Sequence, residues 1–346
     1  MSGLLNGGLR WPRLRVLAGG LPLAGAFEAD VVSNNHFAAD RFMVGLAVGA
    51  DPFALLDTVD RTSIEIEILV SLDDGAGFES LITGEADRVE YDPITGTIRL
   101  EGRDFSARLM EARVGESYVN LTASEIARKL ASRHGLLADV QATKAPVGRL
   151  WEGNHQRSLL DQFSRAATEW DLLAALAEIE GFDLFVQGNT LHFRPGDAAP
   201  ALPLAISEAG SVRLERALTL AGGIEVVVRS WHAERQESCE ETVRRPGDRP
   251  RRYVYVVPNL TAAEAAVLAQ RRLAAIGRHE RMVSLEMPGE LDIHPRGRIR
   301  LAGSGTGFDQ VYWVDRVERR IGRHGFRQTV QGRNGNAEEG GSWSDS

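Results

Sequence analysis

The run Ile64-Glu-Ile66-Glu-Ile68 alternates a β-branched apolar residue with a carboxylate. A period of two puts every Ile on one face of an extended strand and every Glu on the other. A helix would scatter both sets around its circumference, so Arg61–Val70 is expected to be a strand with one buried and one wet face. Its surroundings fit that reading. Asp73-Asp-Gly-Ala-Gly77 is a turn. Leu81-Ile-Thr83 leads into a further strand, Tyr91-Asp92-Pro93 with Thr95-Gly96 forms a loop, and Thr97-Ile-Arg-Leu-Glu101 returns. Upstream, Gly19-Gly20 is expected to turn one strand into another, and Gly19, Gly20, Pro22 and Gly25 break the apolar stretch that would otherwise resemble a signal peptide. Several short strands at this spacing imply a barrel or sandwich over residues 1–110.

Residues 111–198 change character. Thr122-Ala-Ser-Glu125 is a capping box, and Ile126, Ala127, Leu130 and Ala131 follow on one helical stripe, with Gly135 placed to end the helix. A second helix is expected from Ser158 and Asp161, with Leu159, Leu160, Phe163, Ala166 and Ala167 as its apolar face. A third is expected from Trp170 to Gly181. Phe182–Val186, Gly188-Asn189 and Leu191–Phe193 then read as a hairpin, which completes an α+β module.

Gly196–Pro203 reads as a linker. Strands are expected again at Val212–Arg216 and Gly223–Trp231, so a second β unit is assigned to 199–235 and 281–333. The interposed 236–280 is an insertion with one helix, capped by the box Thr261-Ala-Ala-Glu264 and stopped at Gly277. Within it, the basic, proline-broken stretch Arg244–Arg252 is expected to be an exposed loop. Residues 334–346 have the Gly, Glu and Ser content of a flexible tail. Trp343, near the end of that tail, reads first as an incidental residue of a solvated tail and second as an anchor to a partner.

The 346 residues are too many for one ordinary core, and a single cysteine, Cys239, permits no internal disulfide. Net charge is −8. Residues 1–204 carry −11, residues 205–333 carry +6 and the last 13 carry −3, an asymmetry that reads first as two domains with different solvated faces and second as surfaces suited to docking, with no nucleic-acid footprint.

The residues with chemical potential read as ordinary structural ones. Gly303-Ser-Gly-Thr-Gly307 lacks the Lys-Ser/Thr of a phosphate loop and is followed by a strand. Asp73-Asp74 lacks the spacing of a calcium loop. His279-Glu280 is not part of a His-Glu-x-x-His helix, and His192 reads as a packed strand residue. Cys239 has no Cys-x-x-Cys partner, and Gly210-Ser211 is no nucleophile elbow. Trp151, Trp170 and Trp231 read as core rather than as a sugar groove. The expected catalytic, cofactor and metal residues are therefore none.

Several stretches, in order along the chain, carry a family resemblance. Leu81–Arg108 with Leu109 resembles the first barrel of the tail hub proteins of contractile-tailed bacteriophages, the late control protein D family, which is similar to the hub part of type VI secretion spike proteins. Asn120–Ala127, Arg133–Leu136 and Leu176–Phe193 resemble that family's helical module. Val226–Trp231, Val311–Glu318 and Gly325–Val330 resemble strands of its second barrel and its insertion. Two details depart: His294-Pro-Arg-Gly-Arg298 stands where the family often has Pro-Gly-Asp, and Arg319 stands where it often has a histidine.

The resemblance implies a mainly β fold with α+β insertions, in which two antiparallel β-barrel domains of the phage tail-tube and hub type accompany the helical α+β module. It implies a non-enzymatic structural role as a baseplate hub. The hub would be a homotrimer whose six barrels match a sixfold tail tube to a threefold central spike. The implied partners are further copies of the chain, the tail tube or tube initiator protein, the spike, the tape measure protein and other baseplate proteins. DNA would pass only as cargo, and there would be no membrane anchoring. Its place would be the virion baseplate, after assembly in the host cytoplasm. The alternatives are a tail-associated cell-wall hydrolase and a carbohydrate-binding module. Paired acids for glycoside hydrolysis leave no mark in sequence spacing.

Overall fold

The computed structural model describes residues 11–35, 37–48, 63–73, 75–115, 118, 120–144, 146–147, 168–196, 199–232, 236–258 and 260–334. The fold is mainly β, with a few helices set among antiparallel sheets. The helix expected from Ser158, Trp151, and the tail beyond Asn334 with Trp343 lie outside the described residues.

The first β region holds β1 (Arg13–Ala18), β2 (Leu21–Pro22), β3 (Ala26–Asn34), β4 (Arg41–Ala47), β5 (Glu65–Ser71), β6 (Glu79–Asp92) and β7 (Thr97–Asp104). They lie in the antiparallel order β3-β4-β7-β6-β5-β1-β2, and β1 comes back against β3, so the sheet curls around one core. The alternation in β5 is realised. Ile64, Ile66, Ile68 and Val70 are buried among Val16, Val31, Phe42, Val44 and Leu100, whereas Glu65 is exposed. Gly19 and Gly20, at φ 56° and 80°, make the tight turn between β1 and β2. In the β6–β7 turn, Asp92 Oδ1 accepts from the N–H of Ile94 at 2.8 Å and of Thr95 at 3.2 Å. A bulge at Asp87 in β6 sits beside Gly102. A Cβ at Gly102 would lie 2.1 Å from the Glu85 carbonyl oxygen, so only glycine lets β6 and β7 approach there.

The α+β module follows: α1 (Ser106–Glu111), α2 (Ala123–Arg133), β8 (Leu137–Val140), α3 (Glu169–Glu180), β9 (Asp183–Gln187) and β10 (Thr190–Arg194). The Thr122–Glu125 box is formed in both directions, and Gly135 (φ 69°) carries the chain away from α2. The helix expected from Trp170 begins one residue earlier, through a second box between Thr168 and Asp171. β8 was not foreseen. It pairs in parallel with β10, and its Leu-Ala-Asp residues are exposed, so it carries no alternating pattern.

The rest of the chain forms β11 (Leu202–Ala205), β12 (Ser211–Arg216), α4 (Leu218–Ala221), β13 (Ile224–His232), β14 (Glu237–Arg245), β15 (Arg251–Val256), α5 (Ala262–Gly277), β16 (Arg281–Pro288), β17 (Arg298–Ala302), β18 (Val311–Gly322) and β19 (Gly325–Asn334). Three expectations change here. The end of the expected linker, Leu202-Pro203, belongs to β11, which pairs in parallel with β17. The strand expected to lie in the second β unit, β13, instead forms a separate sheet with β14 and β15, covered by α5. The expected Arg244–Arg252 loop shrinks, because Arg244 and Arg245 lie in β14 and Arg251 and Arg252 in β15. Charge does not oppose these strands. Arg244 and Arg252 flank Glu225 at 2.9 and 3.1 Å, and Arg229 meets Glu240 at 2.6 Å, as cross-strand ion pairs on the face away from α5.

The C-terminal hairpin joins the two large β regions. In β18, Arg316–Ile321 pairs with β3, Val311–Trp313 pairs with β17, and β19 runs along the other edge. One 13-stranded sheet therefore spans both. Asn334, expected to open the tail, is the last residue of β19 and is 7% exposed, with its N–H donated to the Arg278 carbonyl at 3.0 Å.

Candidate functional site

The inward row of β18 reads Val317, Arg319, Ile321, and opposite it in β19 stand Val330, Gln328 and Phe326. Ile321 and Phe326 belong to the first core, and Val317 and Val330 to the second. Arg319 and Gln328, each 3% exposed, face one another between them. A charge at an inward strand position thus divides one core from the other. The Arg319 guanidinium donates to the carbonyls of Glu290 and Ile293 in the loop after β16. Burial draws its pKa down to about 10, opposed by the carboxylates of Asp40 and Glu79, so it stays a cation at neutral pH.

Two carboxyl groups of the first region lie beside this divider. Asp104 ends β7 and is 7% exposed; its Oδ1 accepts from the Ser106 N–H at 3.1 Å and from the Ser106 hydroxyl, which turns the chain into α1. Partly buried Asp40 precedes β4 and accepts from the Asn34 N–H at 2.9 Å, while its carbonyl receives the Asp104 N–H at 3.0 Å. The donors that reach both carboxyl groups are neutral. Burial pushes Asp40 up to about 6. Burial, and then the charge of Asp40, pushes Asp104 up to about 7.

The third component is Arg296, in the turn before β17. It takes a left-handed backbone (φ 72°), held by its N–H to the Val314 carbonyl at 2.8 Å. Its guanidinium lies 3.7 Å from the centre of the Phe185 ring in β9, and its Nη1 donates to the Asn34 carbonyl at 3.3 Å. Phe185 stacks on His192 at 4.4 Å, and His192 Nδ1 meets Asp139 at 2.7 Å. Trp170 Nε1 donates to the Phe37 carbonyl at 2.6 Å, which ties α3 to the loop after β3. Both β regions and the module therefore meet around a cavity of about 530 Å³.

Paired carboxyl groups with raised pKa values are a common mark of acid–base catalysis. Here each is engaged in shaping a turn, and the cations around them belong to the contact between units. The arrangement is suited to fixing three bodies in one orientation. Most other residues with chemical potential lie elsewhere. Ser304 and Thr306 of the Gly303–Gly307 loop bond each other, and Ser304 donates to Asp309 just beyond it. Half-buried Cys239 offers its thiol to the Leu260 carbonyl at 3.6 Å. His279 lies near Arg333, and Trp231 is 54% exposed on the insertion sheet, contrary to its expected core role. Trp170 is 4% exposed, as a core residue should be. Of the described members of this set, His192 reaches the joint by stacking on Phe185 and Trp170 by its hydrogen bond to the Phe37 carbonyl. Among the described residues, no cluster of three or more metal-ligating side chains forms, and no helix is long and apolar enough to cross a membrane.

The fold is shared with phage tail proteins. The chain superposes on the tail protein from Neisseria meningitidis MC58 with a TM-score of 0.71 and 17% identity, over 94% of this chain and 97% of that one. It matches the 43 kDa tail protein of prophage MuSo2 from Shewanella oneidensis at 0.70 and 16%, over 93% and 98%. It matches an E. coli component of the type VI secretion system, itself structurally similar to T4 bacteriophage tail proteins gp27 and gp5, at 0.55 and 10%, over 93% and 77%. No family model matches the sequence, and no curated protein matches it. The structural neighbours are thus phage tail proteins and type VI spike-associated proteins, as the sequence resemblance anticipated.

Proposed function

We propose that this chain is the baseplate hub of a contractile phage tail or a related injection machine. The observation that carries this reading is a tail-protein fold extending over nearly the whole chain. In this reading, residues 1–110 and the second β unit are two related ring elements, and 111–198 and the insertion are attachments to them. Three copies close a ring of six elements that adapts a sixfold tube to a threefold spike. Ring closure would also cover strand edges left open in one chain. The partners are the tube or its initiator, the spike, the tape measure protein and neighbouring baseplate proteins; DNA passes only as cargo. The chain has no catalytic task in this role. It assembles in the host cytoplasm and ends in the virion baseplate, without membrane anchoring.

The expected particle is a trimer of 37.8 kDa chains, or a monomer that trimerises when its spike is added. Size-exclusion chromatography with light scattering, alone and with the spike, measures this. A stable dimer or tetramer both in solution and in the assembled particle would rule the ring out.

A further inference from the structure

We infer that the three-way joint is proton-coupled: the docked joint holds a proton on the Asp40–Asp104 pair, which is released when the Pro295–Arg296 turn and the β9–β10 hairpin lift away. The geometry is the basis. Both acids sit on the first β region, at the ends of its strands, and neutral donors satisfy them: the N–H of Asn34 for one and Ser106 for the other. What closes over them comes from other units. Arg296 reaches across to the Asn34 carbonyl and lies on Phe185, and Arg319 is committed to loop carbonyls. Closing the joint therefore removes water from two like-charged groups without giving either a cation as a direct hydrogen-bond partner. The favourable response is to keep a proton.

Other charged groups surround the cavity. Glu67 and Glu79 line it from the first region, Asp183 and Arg194 from the module, and His294, Arg296, Arg298 and Arg319 from the second region. The carboxylates among them reinforce proton retention and the arginines oppose it. The balance leaves both acids raised, Asp40 to about 6 and Asp104 to about 7. His294 is pushed the other way, first by burial and then by Arg319, so its own titration favours opening in acid. Asp292 acts on His294 in the opposite sense.

The sign follows from linkage. A carboxyl group whose pKa is higher when docked than when free binds its proton more tightly in the docked state. Docking is therefore strongest in acid and weakens as pH rises from the free value of 3.8 towards about 7. The consequence is a joint that stiffens in mildly acidic surroundings and loosens in alkaline ones, whether or not three chains form a ring.

Hydrogen–deuterium exchange of Asp183–Arg194 in the full chain, corrected for intrinsic rates, tests this. Between pH 5.5 and 8 the opening constant of the wild type should rise about tenfold or more. Asp40→Asn and Asp104→Asn should each reduce the slope, and the double variant should abolish it. His294→Gln should steepen it, and Asp87→Asn on exposed β6 should leave it unchanged. If the double variant does not fold, the single variants decide. A flat wild-type profile, or a full slope in both single variants, would overturn the inference.

Discussion

Ile66→Asp is expected to unfold the first β region, while Glu65→Gln, one residue away, leaves it standing. Ile66 is fully buried in β5 between Val70 and Ile64 on the same row, and it pairs across the sheet with Ala18 and Gly84. An aspartate there loses the packing of an Ile and places an unpaired carboxyl group in the core. The combined cost is about 4 kcal/mol or more, comparable to the whole stability of many domains. Glu65 points outward from the same strand, and removing its charge should change stability by less than about 0.5 kcal/mol. Urea titrations followed by circular dichroism, with exchange read on β4 to β7, separate the two. Equal tolerance of both changes would mean that the register of β5 is wrong.

Arg319→Ala should be the most damaging single change at the joint. It leaves the carbonyls of Glu290 and Ile293 without their donor, removes a cation that favours ionised Asp40 and opens a void between the two cores. Unsatisfied buried acceptors cost roughly 1–3 kcal/mol each, so the loss should total about 3 kcal/mol. For a cooperative chain of 346 residues that is a fall in Tm of roughly 4 °C. Arg320→Ala is the control, because its side chain is 73% exposed and meets Asp30 at only 3.7 Å. Calorimetry of the two variants decides the matter. If Arg319→Ala were no worse than Arg320→Ala, the divider would carry no structural weight.

Local signals in the sequence were sufficient wherever neighbours in the chain are neighbours in space. Ile64–Ile68 fixed the face of β5, and both expected capping boxes, Thr122–Glu125 and Thr261–Glu264, are formed. The Thr168–Asp171 box escaped because its third-position acid is Asp, one carbon shorter than the usual Glu. β14 and the start of β15 escaped because Arg244, Arg245, Arg251 and Arg252 read as solvated charge. Three of the ion pairs that keep β13–β15 together, Arg244–Glu225, Arg252–Glu225 and Arg229–Glu240, depend on register that no local pattern encodes.

The joint was less legible still. Asn34, Asp104, Phe185 and Arg296 come from three units, and the hydrogen bond from Arg296 to Asn34 spans 262 residues. Arg319 did leave a trace. A charged residue between Val317 and Ile321, on the inward row of a strand, breaks the alternation, and it also stands where the resembling family often has histidine. Breaks of this kind are expected at functional or strained sites.

Imaging the assembled particle with a label fused to this chain tests the hub reading most directly. Three labels are expected around the tail axis, at the level where the tube meets the spike. Labels spread along the tube, placed on peripheral fibres, or arranged with other than threefold symmetry would contradict it.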